Sequence, residues 1–221
     1  MEEAINIKQK IGLFKISGIT LILSGILFLV QAMYLLPISV PPANNTDFML
    51  WLDKWKTNLS MVDELLFFET ILVIPAIVTL YQLLIKIEKI KTIFGCGLLL
   101  VYMPVNLVVA IILGRLVYPV YQIEYSPEIY KFVLSMYYGG MHMAALILSI
   151  ATILLSFVIR KSSIGKFVAY LGFVTGLMDL LGAFPWLLTN EVVFLTQLFH
   201  AAWFAVLGMQ LFRKAPQEEG Y

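Results

Sequence analysis

Six side chains that could bind a ligand, carry a proton or coordinate a metal stand inside long apolar runs of this sequence. They are two carboxylates, two amides and two imidazoles: Glu69, Asn106, His142, Asp179, Gln197 and His200. An ionisable side chain at membrane depth costs roughly 2.5 to 3.5 kcal/mol even on the mildest insertion scale, so such residues indicate a functional site. Carboxylates supply negative charge, amides orient a polar ligand, and imidazoles titrate near neutral pH. The set predicts a pocket that binds a small polar or cationic ligand or an ion.

The same residues leave two other kinds of chemistry open. His142 and His200 are expected at matched depth on two different helices, where two imidazoles can ligate a haem or join Glu69 and Asp179 around a divalent metal. An intramembrane enzyme would instead use Asp179 or Glu69 as acid or base, with a histidine as its partner. The sequence contains no His-Glu-x-x-His, Gly-x-Ser-x-Gly or phosphate-loop motif that would select one of these chemistries.

The composition places these residues in a membrane protein. Of the 221 residues, 61% are apolar and 13% are charged, whereas about 25% of a typical soluble domain is charged. The formal net charge of +1 does not provide the basic face that nucleic-acid binding requires. Cys96 is the single cysteine, so no internal disulfide can form. Membrane lipids are the partners that this composition predicts, and nucleic acid is not.

Six apolar runs are each long enough to cross a bilayer as a helix, which takes about 20 residues. They cover residues 11–36, 63–85, 92–113, 132–159, 164–188 and 192–212. The runs do not alternate as barrel strands do, and backbone in lipid must satisfy its own hydrogen bonds. We therefore predict an all-α fold, a single domain over residues 1–221 in which six transmembrane helices form one bundle.

The distribution of basic residues orients this predicted bundle. Eleven of the 15 Lys and Arg residues fall on one set of connections and termini, and four fall on the other set. By the positive-inside rule, both termini are expected in the cytoplasm, in an inner or plasma membrane. On the outer side, Trp51 and Trp55 lie four residues apart. That spacing predicts an amphipathic helix over residues 43–60 that lies in the outer headgroup layer.

The six polar residues all fall in the outer half of the membrane in this arrangement. Counted from the outer ends of the spans, Glu69 lies roughly 9 Å deep, and Asn106, His142, Asp179 and His200 lie roughly 13 to 17 Å deep. These polar groups come from five helices, and their exposure to lipid would cost a large desolvation free energy. We expect them to share one pocket in the outer half of the membrane.

Four short stretches carry a resemblance to a known family. They are Leu80-Tyr81-Gln82-Leu83-Leu84, Tyr137-Tyr138-Gly139-Gly140, the run from Arg160 to Lys166, and Asp179-Leu180-Leu181-Gly182-Ala183-Phe184. In these stretches and in its layout, the chain resembles a prokaryotic six-span integral membrane protein family of unknown function. The resemblance implies six helices and a prokaryotic membrane, and it implies no activity and no site residue.

Overall fold

The computed structural model describes residues 2–121 and 123–214. This part of the chain is helical and contains no β-strand, which confirms the all-α class. The α-helices are α1 (Glu2–Leu35), α2 (Asn45–Leu72), α3 (Ile74–Leu84), α4 (Lys89–Val117), α5 (Pro127–Ile159), α6 (Lys166–Gly182) and α7 (Asn190–Lys214). A short 3-10 helix, Pro185–Leu187, connects α6 to α7.

Four of these helices are long and apolar enough to cross a membrane. They are residues Ile11–Leu35 of α1 and the whole of α4, α5 and α7. The chain therefore has the character of a membrane protein with four candidate spans among its described residues.

The other two predicted spans are interrupted or shortened by proline. Residues 63–85 fall on the end of α2 and on α3, which are separated at Val73, two residues before Pro75. Residues 164–188 fall on α6, which has 17 residues and ends three residues before Pro185. Proline has no N–H to donate to the preceding turn, and its ring clashes with the carbonyl group four residues earlier, so it disfavours a continuous helix at both places.

The helices pack as a closed ring. The largest contacts are between α1 and α7 and between α4 and α5. The helix α6 bridges α5 and α7, while α2 and α3 together bridge α1 and α4. The helices therefore surround a central space.

Small residues allow the closest approach in this ring. A Cβ atom placed on Gly18 of α1 would lie 2.7 Å from the carbonyl oxygen of Gly208 on α7. A Cβ atom on Gly25 would lie 2.9 Å from the carbonyl oxygen of Ala201. Backbones that pack this closely leave no room for a side chain, which is how helices associate in lipid.

Charged contacts join two connections at one end of the ring. Glu88, just before α4, pairs with Lys91 and with Lys161, whose Nζ lies 2.8 Å from Glu88 Oε2. Hydrogen bonds from Lys161 and then from Lys91 hold the pKa of Glu88 below its ordinary value. The α3–α4 and α5–α6 connections therefore lie side by side.

Polar contacts join the connections at the opposite end. Lys131 of α5 donates a hydrogen bond to Asn45 Oδ1 at the start of α2 (2.6 Å). Asn190, at the start of α7, donates to the carbonyl oxygens of Leu36 (3.0 Å) and Ile38 (2.6 Å), just after α1. The chain thus reverses between the two ends as it passes around the ring.

The segment predicted as an interfacial helix, residues 43–60, falls almost entirely within α2. The helix continues without interruption to Leu72 rather than starting anew near residue 63. Trp51 is 5% exposed, and its indole N–H donates to the carbonyl oxygen of Ser39 (2.7 Å). Packing against the protein covers this tryptophan, and the placement of the segment in the headgroup layer stays a prediction.

Candidate functional site

A cavity of about 130 Å³ lies within the ring and is lined by residues of α1, α2, α4, α5, α6 and α7. Four of the six residues singled out from the sequence line it: Glu69, Asn106, Asp179 and Gln197. None of the described residues that line it is a Lys or an Arg. The cavity therefore combines two acidic side chains with no basic partner on its walls.

Glu69 is positioned by contacts from the neighbouring helix α1. Its side chain is almost fully buried, with 2% of the residue exposed. The amide nitrogen of Gln31, oriented to face the carboxylate, donates to both carboxylate oxygens at 2.8 and 3.2 Å. Gln31 is itself 1% exposed. The carboxylate is thus held by a neutral amide rather than by a cation.

The break between α2 and α3 also contributes to the position of Glu69. The N–H of Val73 donates to the carbonyl oxygen of Thr70, three residues earlier, at 3.4 Å. A continuing α-helix would direct this N–H to the carbonyl oxygen of Glu69, four residues earlier. That oxygen instead accepts a hydrogen bond from Ser24 Oγ of α1 at 2.9 Å. The backbone of Glu69 is therefore anchored to α1, as is its side chain.

Asn106 connects α4 to the same region of α2. Its Nδ2 donates to Thr70 Oγ1 at 2.7 Å, and Thr70 Oγ1 donates to the carbonyl oxygen of Leu66 at 2.6 Å. The Asn106 amide also interacts with the Glu69 carboxylate. This short chain of hydrogen bonds holds the amide at the cavity wall.

Asp179 has His200 as its partner. The Nδ1 atom of His200 lies 3.0 Å from Asp179 Oδ2, and both side chains are buried. The imidazole packs between aromatic rings, with centroid distances of 4.9 Å to Phe28 and 4.3 Å to Phe204. His200 is not among the lining residues of the cavity. It stands behind Asp179 and orients that carboxylate.

Two buried polar atoms in this region have no hydrogen-bond partner within the described chain. They are Gln197 Oε1 and His200 Nε2. A buried polar atom without a partner costs about 1 to 3 kcal/mol, so proteins rarely leave one without a reason. Gln197 is one of the residues that line the cavity, and its buried oxygen keeps an unused capacity to accept a hydrogen bond.

His142 does not join this group. Its Nδ1 lies 2.7 Å from the carbonyl oxygen of Ala183, just after α6, which accepts the hydrogen bond. Its ring packs against Phe184 and Trp186 at centroid distances of 4.8 and 5.5 Å. The residue does not line the cavity. The two histidines therefore occupy separate environments, each with its own partners.

Residues 2–121 and 123–214 contain no group of three or more His, Cys, Asp or Glu side chains that could hold a metal ion. The Nδ1 atoms of both histidines already have protein partners. The binding of a haem or a metal by His142 and His200 therefore stays a hypothesis. The described residues do not supply further ligands for it.

Several polar residues that line the cavity were not singled out from the sequence alone, among them Gln31 and Tyr102. Gln31 falls in an otherwise apolar stretch of the first span, and the criterion that selected Glu69 applies to it as well. Because Gln31 lies near the end of the predicted span, the sequence alone does not distinguish it from a residue at the membrane boundary. Tyrosine is common at membrane interfaces, so Tyr102 gave a weaker signal from sequence.

No family model, no curated protein and no solved structure matches this chain. The cavity and the residues around it are therefore the basis on which a function can be assigned.

Proposed function

We propose that this protein is a multi-pass membrane protein whose central cavity binds a small polar or cationic ligand or an ion, as a transporter, a sensor or an accessory subunit. The observation that carries the proposal is the pair of buried carboxylates, Glu69 and Asp179, on the wall of one cavity without a described Lys or Arg beside them. Burial penalises a charged carboxylate, and a nearby positive charge offsets that penalty. A cation that enters the cavity would supply this compensation.

The proposed arrangement in the membrane has six crossings and cytoplasmic termini. Four helices that are long and apolar enough to cross a membrane support it. The pair α2 and α3 and the short helix α6 pack into the same ring as these four helices, and we infer that they supply the other two crossings. The end of the ring where Glu88 meets Lys161 is the lysine-rich end, which favours the cytoplasm. Leu36, Ile38 and Asn190 line the cavity and lie at the opposite end, which favours an opening to the outside.

The residues that line the cavity would have different roles in binding. Glu69 and Asp179 provide negative charge, while Gln31 on the cavity wall and His200 behind the wall orient these two carboxylates. Asn106 and Gln197 present amide groups that orient a ligand. This arrangement needs no cofactor and is compatible with binding alone or with binding followed by transport.

Ligand-dependent stabilisation of the purified protein tests the proposal. Thermal unfolding in detergent is followed by tryptophan fluorescence with Na⁺, K⁺, Mg²⁺, choline and benzylammonium, and titration calorimetry follows any hit. We expect at least one cation to raise the melting temperature saturably, because a ligand that binds only the folded state stabilises it. Affinity should fall about tenfold or more, which corresponds to about 1.4 kcal/mol, in Glu69→Gln and Asp179→Asn.

Matched variants on the surface provide the controls. Glu124→Gln and Asp53→Asn make the same chemical changes at exposed positions and should bind as the unmodified protein does. The proposal fails if no cation in the series stabilises the protein, or if Glu69→Gln and Asp179→Asn bind as well as the controls.

A further inference from the structure

We infer that the ligand of this cavity is a small organic ammonium ion with a compact apolar body, and that Gln197 selects ammonium ions that carry N–H groups. The inference rests on the proposed function and names the class of ligand. Three features of the cavity carry it: the state of its carboxylates, the chemistry of its remaining wall, and its size.

The carboxylates are already partly engaged by the protein. Glu69 accepts hydrogen bonds from Gln31, and Asp179 is paired with His200. A metal ion such as Mg²⁺ or Ca²⁺ needs about six or more oxygen ligands in a tight shell. The described residues contain no group of three acidic, His or Cys side chains from which such a shell could be built. The cavity therefore offers charge for a cation but too few ligands for a desolvated metal ion.

The remaining wall is suited to an apolar body. Five aromatic residues line the cavity: Phe28, Tyr102, Tyr137, Tyr138 and Phe194. Leu66, Leu148 and Met141 line it as well. Aromatic faces attract organic cations, and desolvation strengthens this attraction. Binding sites for small molecules combine such apolar walls with a few polar groups that fix orientation, and this cavity has that composition.

The size of the cavity limits the ligand. Its volume of about 130 Å³ is close to the roughly 150 Å³ of an engineered protein cavity that binds benzene. A ligand with about six to eight non-hydrogen atoms fits that space by the same comparison. Benzylammonium, which has one aromatic ring and one primary ammonium group, is a probe of this size.

Gln197 adds a preference among ammonium ions. Its Oε1 atom is buried at the cavity without a hydrogen-bond partner in the described chain. An ammonium N–H can donate to this oxygen, whereas a quaternary ammonium cannot. A site with a buried polar group discriminates strongly against an analogue that leaves the group unpaired.

Titration calorimetry in detergent with benzylammonium, benzyl alcohol, choline and K⁺ tests the inference. Benzyl alcohol has nearly the same shape without the charge, and choline is a quaternary ion of similar size. We expect benzylammonium to bind at least about tenfold more tightly than each of the other three. Gln197→Leu should reduce the preference for benzylammonium over choline about tenfold, since the unpaired oxygen is removed.

A second variant separates an organic ligand from an ion. Ala145 lines the cavity, and Ala145→Leu would fill part of its volume. This variant should weaken benzylammonium binding, while Ala145→Ser should leave it nearly unchanged. Melting temperatures of both variants establish that the protein remains folded.

The outcomes distinguish the two proposals. If K⁺ or another inorganic ion binds in a manner that depends on Glu69 and Asp179, and benzylammonium does not, the inference is overturned and the proposed function stands. Equal affinities for benzylammonium and benzyl alcohol would also overturn the inference. If neither organic nor inorganic cations bind, both proposals are overturned.

Discussion

Glu69 shows how this protein holds a buried carboxylate without a basic residue among the cavity's described lining. Gln31 donates to both carboxylate oxygens, Asn106 interacts with the same group, and Ser24 holds its backbone carbonyl. A buried polar group that is left without such a partner costs about 1 to 3 kcal/mol, so these contacts stabilise the buried side chain. In the binding function proposed above, neutral donors would leave the acidic groups of the cavity to pair with a cationic ligand, whereas a lysine or arginine would compete for them.

Replacement of Gln31 by Leu should destabilise the protein by about 1 to 3 kcal/mol, because the buried Glu69 carboxylate loses a donor. The measurement is thermal or denaturant unfolding in detergent, followed by tryptophan fluorescence. Gln82→Leu makes the same change at an exposed position and should alter stability by less than about 0.5 kcal/mol. Equal stabilities of the two variants would show that Gln31 does not support Glu69.

At the scale of the elements, the contact between α1 and α7 holds the ring closed. A Cβ atom placed on either Gly18 or Gly208 would lie 2.7 Å from the carbonyl oxygen of the other glycine. Van der Waals packing must supply most of the attraction between these helices because the hydrophobic effect does not act between apolar surfaces in lipid. A larger side chain at this contact is therefore expected to destabilise the protein.

Gly18→Ala should destabilise the protein by about 1 to 3 kcal/mol, since the added methyl group must push α1 and α7 apart. Gly12→Ala in the same helix is the control, because a Cβ atom there meets no atom within 4 Å. The control should be neutral or more stable by up to about 1 kcal/mol, since alanine favours the helix over glycine. Unfolding curves of the two variants, measured in the same detergent, should therefore show that Gly18→Ala is the less stable protein. A Gly18→Ala protein as stable as Gly12→Ala would contradict the close packing.

At the scale of the whole molecule, the ring has two chemically different ends. One end carries Glu88 with Lys91 and Lys161, and the other carries the contacts of Lys131 and Asn190. The cavity extends to Asn190 at the second end. The side of the membrane that this end faces decides which compartment supplies the ligand.

Single-cysteine labelling measures this orientation. In a Cys96→Ser background, Val40→Cys lies at the Asn190 end, and Ser163→Cys lies at the Lys161 end; both positions are exposed. A membrane-impermeant maleimide applied to intact cells should label Val40→Cys and should leave Ser163→Cys unlabelled until the membrane is permeabilised. The reverse pattern would place the termini outside and overturn the proposed orientation.

The sequence alone determined the fold class and four of the polar residues that line the cavity. Uninterrupted apolar runs allow little besides helices, and a polar residue within such a run is visible without any structure. Glu69, Asn106, Asp179 and Gln197 were found in this way, and all four line the cavity. The prolines that interrupt or follow the helices in two of the predicted spans, Pro75 and Pro185, were equally visible in the sequence, but the residues at which those helices end were not.

The tertiary structure decided which polar residues meet. His200 lies behind Asp179, His142 packs beside Ala183 outside the cavity, and Gln31 joins Glu69. The sequence gives the depth of a residue along its helix but not the rotation of that helix about its axis. In spans that are apolar on every side, hydrophobic periodicity does not define an inward face. Contacts between small residues such as Gly18 and Gly208 set the rotation instead, and these contacts exist only once the helices have packed.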